Sequence, residues 1–362
     1  MQSRVEQNRI RRAGTGLRAL DTERVCPGFT LFAPPGSVVY LIDLQGNIVH
    51  TWEMPYPARY AYLTPRGTLL YNGETPGDGW LGRQPYKGGA VLEADWNGRT
   101  LWEVRHPTHH HDGILLRNGN ALLLAASPIP DELVSQVRGG RPGTEAEGKM
   151  YAGHLVEVTT DGCVIWEWRS WEHLDPIEDP ITAIQDERER WAFGNGLAEL
   201  PNGDITVSFQ DISTVITIDR QSGNIIWKLG APPLSFQHAP TPLASGNLLI
   251  LDNGPHRLDA SLPFSRVIEV NPATKEMVWS YQDCPVTNFF TPRQGNAQRL
   301  PNGNTLICEA VFGRLFEVTA GGEVVWEYVN PFFGERPDGP TNNLFRAYRY
   351  SEDEIERARQ TA

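Results

Sequence analysis

Cysteine is scarce in this sequence: Cys26, Cys163, Cys284 and Cys308 are the four among 362 residues, far apart and without CxxC spacing. That distribution excludes a zinc ribbon and a dense disulfide framework, so buried free thiols are expected. Long apolar runs are missing too. No segment supplies the roughly 20 consecutive apolar residues of a membrane-spanning helix. The basic stretch MQSRVEQNRIRRAGTGLRAL lacks the apolar core of a secretory signal, so a cytoplasmic protein with no membrane association is expected. Positive charge is in deficit, with 32 Lys and Arg against 44 Asp and Glu and a net charge of −12. Most of the surface therefore repels a polyanion, which excludes nucleic acid as a partner. Amphipathic helices do not recur between the strand-like segments, which argues against a parallel α/β sheet.

What is abundant is glycine (35), proline (28) and tryptophan (11), the signature of many turns around a recurring aromatic anchor. One phrase returns six times: LIDLQGNIVHTWE (41–53), VLEADWNGRTLWE (91–103), LVEVTTDGCVIWE (155–167), VITIDRQSGNIIWK (215–228), VIEVNPATKEMVWS (267–280) and LFEVTAGGEVVWE (315–327). Each alternates around a Gly, Asn or Asp turn, as a β-hairpin does, and ends on Trp52, Trp102, Trp166, Trp227, Trp279 or Trp326. A second hairpin phrase precedes most copies, for example ILLRNGNALLL from Ile114 and AQRLPNGNTLI from Ala297. Two hairpins per repeat predict an all-β, six-bladed β-propeller, its tryptophans in the blade cores. The first repeat is short at its start and FRAYRY (345–350) stands alone at the end, so N- and C-terminal strands are expected to close the ring in one shared blade.

The expected organisation is an N-terminal arm (1–28), the propeller (29–350) and a helical tail (351–362), where Ser351 and Glu354 have capping-box spacing. Insertions at 127–153 and 169–192 are expected to carry short helical segments and to cover a site on one face.

Repeats also predict which residues meet. Counting back nine positions from the turn residues Thr68, Asn120, Asp204, Asn247 and Asn304 gives Arg59, His111, Asn195, His238 and Gly295, with Asn296 beside the last. Each precedes the first strand of its blade, nearest the central channel. A polar residue there can simply satisfy backbone groups, but two imidazoles and a guanidinium converging on one cavity make a binding site for a small molecule. His109 and His110 extend the cluster, and Asp112 is placed either to orient an imidazole or to solvate a turn. The phrase DNGPHR brings Asp252, Asn253, His256 and Arg257 near the same register, with Arg257 reaching the cavity or pairing with Asp259. No local metal-ligand motif is present, so no cofactor is expected, although His111 and His238 leave open a histidine-bound metal ion. Oligomeric state is not legible.

The phrases HHD before an NGN turn, QHAP, LDNGPHR, AQRLPNGNTLICEA, GRLFEVTAGGEVVWEYVNP and FRAYRY resemble the bacterial arylsulfotransferase family, over roughly residues 28–350. The resemblance implies a six-bladed propeller that moves a sulfuryl group between phenols without a nucleotide donor, through a sulfated histidine. Carried over by motif, it implies His238 and Arg257, then His111, as catalytic residues, with Arg59, His110, Phe193, Asn195, His256 and Asn296 around the substrate. Two departures stand out. Where family sequences often carry Trp-x-His-x-Asn, this chain reads Trp191-Ala192-Phe193-Gly194-Asn195, and no histidine follows His256. Phe193 is expected to make the pocket more apolar, and sulfuryl transfer is then either rebuilt around His111 or His238 or lost. A different histidine-dependent enzyme, such as a lyase, isomerase or hydrolase, and a non-catalytic interaction propeller are the competing readings.

Overall fold

Each repeated pair of hairpins closes on itself because its turns carry residues able to adopt a left-handed backbone. In the third blade Gly119 has φ +90°, and the turn is tied by Gly119 N–H to Leu116 O and by Leu116 N–H to Asn120 O. The computed structural model describes residues 14–77, 79–336 and 339–362. Six antiparallel sheets form the ring of a six-bladed β-propeller. From the second to the sixth blade the innermost strands are Ala58–Leu63, His109–Leu115, Gly194–Glu199, His238–Pro242 and Ala297–Arg299, each followed outward by three more strands in chain order. In the first blade the innermost strand is C-terminal: Ala347–Tyr350 pairs antiparallel with Phe29–Phe32, so both ends of the propeller sequence share one sheet, as expected.

Side chains reinforce that closure. Asn296 pairs with the backbone of Ala347 through both its amide atoms (2.9 and 3.0 Å), and Gln298 does the same with Arg349 (3.0 and 2.7 Å). The sixth blade is thereby stitched to the first. Gly16–Leu20 adds a fifth strand to the sixth blade's outer edge, pairing with Val324–Val329.

The tryptophans do something different from filling blade centres. Trp52 and Trp326 are fully buried, but Trp102, Trp166, Trp227 and Trp279 are only part-buried. Their indoles reach sideways: Trp227, Trp279 and Trp326 donate Nε1–H to the carbonyls of Pro272, Ala320 and Leu44, each in the outer turn of the next blade. An indole has an apolar body and one donor, so it suits a seam with a carbonyl at its rim. Of the four thiols, which are all free, Cys26 and Cys308 are buried, whereas Cys163 and Cys284 are exposed.

The insertions are far less helical than expected, with only the single turns Asp131–Val134 and Ser170–Glu172. Runs such as GGRPG and DPIEDP cannot sustain a helix. They zip together instead, through parallel bridges Gly139↔Ile181, Arg141↔Glu187 and Tyr151↔Arg190. Buried Arg188 locks the pair by donating to the carbonyls of Val134, Val137 and Gly139 and to Glu145.

The tail forms the expected helix, Glu352–Arg359, with both halves of the Ser351–Glu354 capping box and with Ile355 and Ala358 buried. Ser351→Ala is expected to lower stability by about 1 kcal/mol. A urea unfolding curve checks this, and an unchanged midpoint would mean the helix is held by packing alone.

Candidate functional site

Irregularities at the starts of the innermost strands build the site. Pairing slips between Ala58 and Tyr60, across His109 to Gly113, between Gly194 and Gly196, and between His238 and Thr241. A bulge leaves residues off the ladder and re-aims their side chains. Arg59, His110, His111 and Asn195 all fall in such bulges. His111 also has φ +50°, a left-handed backbone unusual for a residue other than Gly, Asn or Asp.

His111 and His238, from the third and fifth blades, line a single cavity of about 480 Å³. Tyr86, Gln210, Phe236, Arg190, Arg293 and Gln294 share its wall. The second insertion supplies Glu187, Glu189 and Arg190, so this insertion does shape the site. The loop carrying Gln84–Tyr86 and the hairpin strand Gly339–Thr341 complete the rim.

The two imidazoles stand in different states. His238 is occupied at both nitrogens: Nδ1–H donates to Asn253 Oδ1 (2.8 Å), and Nε2 accepts the Gln294 amide (3.1 Å). Its ring thus anchors the backbone that carries Arg293 and Gln294 into the cavity. His111 stacks on Tyr86 with ring centroids 4.9 Å apart, and its Nδ1 meets His110 Nδ1 at 2.9 Å. Its Nε2 has no hydrogen bond to any described residue. Burial, then the neighbouring His110, Arg59, His238 and Arg190, holds the His111 pKa well below the ordinary imidazole value. At neutral pH it is therefore uncharged, with a nitrogen open to the cavity.

The cations also differ. Arg293 is exposed, and no described residue pairs with its guanidinium; Arg190 lies over the Tyr86 ring at 5.1 Å and 3.8 Å from Glu189. Glu189 is itself held by Trp80 Nε1–H at 2.8 Å, and Glu187 pairs with Arg141 at 3.1 Å.

Other residues singled out in the sequence lie elsewhere. Arg257 does not line the cavity: it is buried in an ion pair with Asp252 (3.0 Å), reaches Asp259 (3.4 Å) and donates to Phe264 O (3.0 Å), a structural clamp. His256 bonds Gln185 and faces Asp186 at 3.5 Å. Arg59 donates to the Pro85 and Lys87 carbonyls and pairs with Glu74 at 2.6 Å, holding the loop that presents Tyr86. Asn195 bonds Gln210 and Gln237 O behind the wall, and Asn296 belongs to the seam. Phe193 is fully buried behind the cavity, stacked on His110 at 4.0 Å, so it does not make the pocket wall more apolar. Asp112 orients no imidazole. In the channel it accepts from Tyr60 OH, Leu197 N–H (2.8 Å) and the buried Arg346 guanidinium (2.7 Å), tying second, third and fourth blades to the C-terminal segment.

Tyr86, Arg190, Arg293, Gln294 and Arg346 were not singled out in the sequence. Gln294 and Arg293 stand one and two residues before Gly295, so a wider register window finds them. Tyr86 and Arg190 come from non-repeating loops and have no such signal.

Burying these imidazoles in neutral form has a consequence for stability. His109 and His238 are held at about 4 by burial, and His110 and His111 are also lowered. The unfolded chain takes up protons on all four near pH 6.5, while the folded chain resists, His109 and His238 down to about 4. The contribution of His109 and His238 is whole above pH 6.5 and is lost as pH falls toward 4, at about 1.4 kcal/mol per pH unit for each, and His110 and His111 act in the same direction. Asp211, raised to about 6 by burial, runs the other way and offsets one of the four. Urea midpoints at about pH 7.5 and 5.5 check this; equal midpoints would mean the histidines are charged or solvated.

Among the described residues, no group of three or more His, Cys, Asp or Glu is placed to hold a metal ion, and no helix is long and apolar enough to cross a membrane. The profile of a family described as Arylsulfotransferase (ASST) matches residues 79–331. No curated protein matches the sequence. Among solved structures, a protein of unknown function from Bacteroides caccae is similar with TM-score 0.57 and 15% identity, over 90% of this chain and 100% of that one. The Cps50 (Swd1) β-propeller domain of Myceliophteria thermophila gives TM-score 0.45 at 12% identity, over 88% of this chain and 87% of that one. Apo AztD from Citrobacter koseri gives 0.43 at 10%, over 90% and 99% respectively. At such identities the likeness concerns the fold alone.

Proposed function

The chain belongs to the arylsulfotransferase (ASST) family, and from that premise we propose that it transfers a sulfuryl group between small aromatic alcohols in the cavity beneath the second insertion. The observation that carries this reading is the open Nε2 of neutral His111 in the same cavity as Arg190 and Arg293. In the reaction, His111 Nε2 attacks the sulfur of an aryl sulfate. An N–S bond forms, the S–O bond to the ring breaks, and its electron pair leaves with the phenolate. The acceptor phenol oxygen then attacks the same sulfur, the N–S pair returns to Nε2, and the acceptor's proton ends on the departed phenolate directly or through solvent.

The surroundings suit each step. Arg190 and Arg293 neutralise the sulfuryl oxygens, and Tyr86 offers an aromatic face beside His111. His238 positions the Arg293–Gln294 segment and, with its Nε2 engaged, is not the nucleophile. Aqueous solvent gives way to this half-enclosed pocket, where fixed charges act more strongly. The same reading takes the protein as cytoplasmic, with a small-molecule substrate and no cofactor; its free thiols suit a reducing compartment.

Incubation with a nitrophenyl sulfate and a phenol acceptor tests the proposal. The expected result is acceptor-dependent nitrophenolate release; no release across several donors and acceptors would overturn it.

A further inference from the structure

The innermost strands all run the same way through the ring, so different parts of them line the two ends of the channel. His111 and His238 stand near the starts of their strands and open into the cavity of about 480 Å³. Tyr62, Ile114, Ala198 and Pro242 stand near the ends of theirs and line a second cavity of about 180 Å³ at the opposite mouth. The two cavities share no lining residue, and neither insertion contributes to the second. Between them lies the buried pair of Asp112 and Arg346 (2.7 Å), whose carboxylate also holds Tyr60 OH and Leu197 N–H. Tyr60, Leu197 and Arg346 also line the second cavity, so this layer is its floor. Tyr62, Ile114, Thr241 and Tyr348 at its rim are part-exposed, which opens it to solvent.

The wall is apolar and aromatic. Tyr62 meets Tyr348 with ring centroids 6.0 Å apart and stacks on Tyr60 at 6.2 Å, and the fifth blade adds Pro240 and Pro242. Arg346 is the one charged residue in the lining. Its Nη2 is engaged by Asp112 and by Asn195 O (3.4 Å), whereas its buried Nε has no hydrogen-bond partner among the described residues. A buried N–H without an acceptor has given up its bond to water for nothing, so an oxygen that reaches it is held.

Size and charge narrow the occupant. An apolar protein cavity of about 150 Å³ is enough to hold benzene, so this one takes a single ring with a small substituent. An anion is disfavoured, because Asp112 already neutralises the guanidinium and is itself buried in the floor. A cation, which the tyrosines alone would attract, meets the Arg346 guanidinium lying over the Tyr60 ring at 4.5 Å. A neutral ring bearing an oxygen acceptor meets neither objection. We propose that the far mouth of the channel is a second small-molecule site, which takes one neutral monocyclic aromatic with a hydroxyl or carbonyl oxygen. The ring packs against Tyr62, Tyr348 and the prolines, and the oxygen accepts from Arg346 Nε–H. The site stands apart from the His111 cavity and does not rest on sulfuryl transfer, although a phenol belongs to the class it accepts.

Crystals of the full-length protein soaked in 4-bromophenol at neutral pH, with data collected at the bromine absorption edge, locate the ring independently of any turnover. The expected map has a bromine peak in the cavity bounded by Tyr62, Tyr348 and Pro242, with the phenol oxygen within hydrogen-bonding reach of Arg346 Nε. Calorimetric titration of the parent and of Ala198→Phe, whose added ring fills the cavity, isolates the same site in solution. The variant is expected to weaken that component of 4-bromophenol binding at least tenfold; Thr241→Phe serves the same end where Ala198→Phe does not fold. Bromobenzene, with the same ring and no oxygen, is expected to bind there roughly tenfold more weakly, the factor a hydrogen bond from a charged donor supplies. Bromine found only in the His111 cavity, ordered water alone at Arg346 Nε, or solution binding that neither folded variant alters would overturn the proposal. Equal affinity for the two ligands would overturn the part assigned to Arg346. Bromine at this site in a protein that transfers no sulfuryl group from any donor would instead overturn the activity and leave the second site standing.

Discussion

Replacing His111 with asparagine is expected to lower aryl-sulfate turnover roughly 10³-fold or more while leaving the fold intact. Asparagine suits the test because it tolerates the left-handed backbone that His111 adopts at φ +50°. The loss should fall on kcat, since Arg190, Arg293 and Tyr86 still line the cavity and bind the donor. His238→Gln makes the contrast. It removes an anchor of the Arg293–Gln294 segment, not the reacting atom, so a smaller loss shared between kcat and KM is expected. The reverse ranking, with His238 indispensable and His111 dispensable, would shift the chemistry to the fifth blade and reject His111 as the nucleophile.

Asp112→Ala is expected to cost about 3–5 kcal/mol of stability, far more than the loss of the Ser351 cap. The carboxylate is fully buried and serves three donors from different parts of the ring: Tyr60 OH, Leu197 N–H and the Arg346 guanidinium. Removing it strands Arg346, itself buried and stacked on the Tyr60 ring at 4.5 Å, with no other carboxylate paired to it among the described residues. The deficit should appear as a lower urea midpoint and as earlier loss of the closure between Ala347–Tyr350 and Phe29–Phe32. Asp112→Asn keeps the shape and part of the hydrogen bonding and should fall between the two. A midpoint within about 0.5 kcal/mol of the parent would mean that solvent reaches Arg346 and compensates its charge.

How much of this was legible in the sequence depends on whether a feature repeats. The hairpin phrases, the tryptophans and the lone FRAYRY segment repeat or complete a repeat, and they carry blade number and the mode of closure. The register count also brought His111 and His238 to one cavity, because equivalent positions in equivalent sheets face a common axis. What it missed was local. Trp102, Trp166, Trp227 and Trp279 recur as predicted yet sit part-buried at seams between blades, since periodicity fixes a place in the strand but not the neighbour the indole will find. Arg257 shares a short phrase with family members, but Asp252 and Asp259 claim its charge. Asp112 stands next to His111 in sequence, yet the bulge turns the two side chains to different neighbours: His111 to the cavity, Asp112 to Arg346. The non-repeating loops hold Tyr86 and Arg190, whose positions follow only from how the loops fold over the ring. Their contribution explains why a site on a repeat scaffold is half readable: the scaffold supplies the histidines, and the insertions supply part of the charge.

The distinction between the two histidines is the physical centre of the proposed mechanism. Both are buried and neutral, but His238 Nε2 is already bonded to the Gln294 amide, while His111 Nε2 meets no described donor. Neutrality alone does not make a nucleophile, and an available lone pair does. The measurement that bears on this most directly is site-resolved mass spectrometry of the protein mixed with an aryl-sulfate donor and no acceptor, quenched under alkaline conditions that preserve N–S bonds. The expected result is a sulfuryl adduct on the peptide bearing His111, discharged on addition of a phenol. An adduct on His238, or phenol release with His111 never modified, would contradict it.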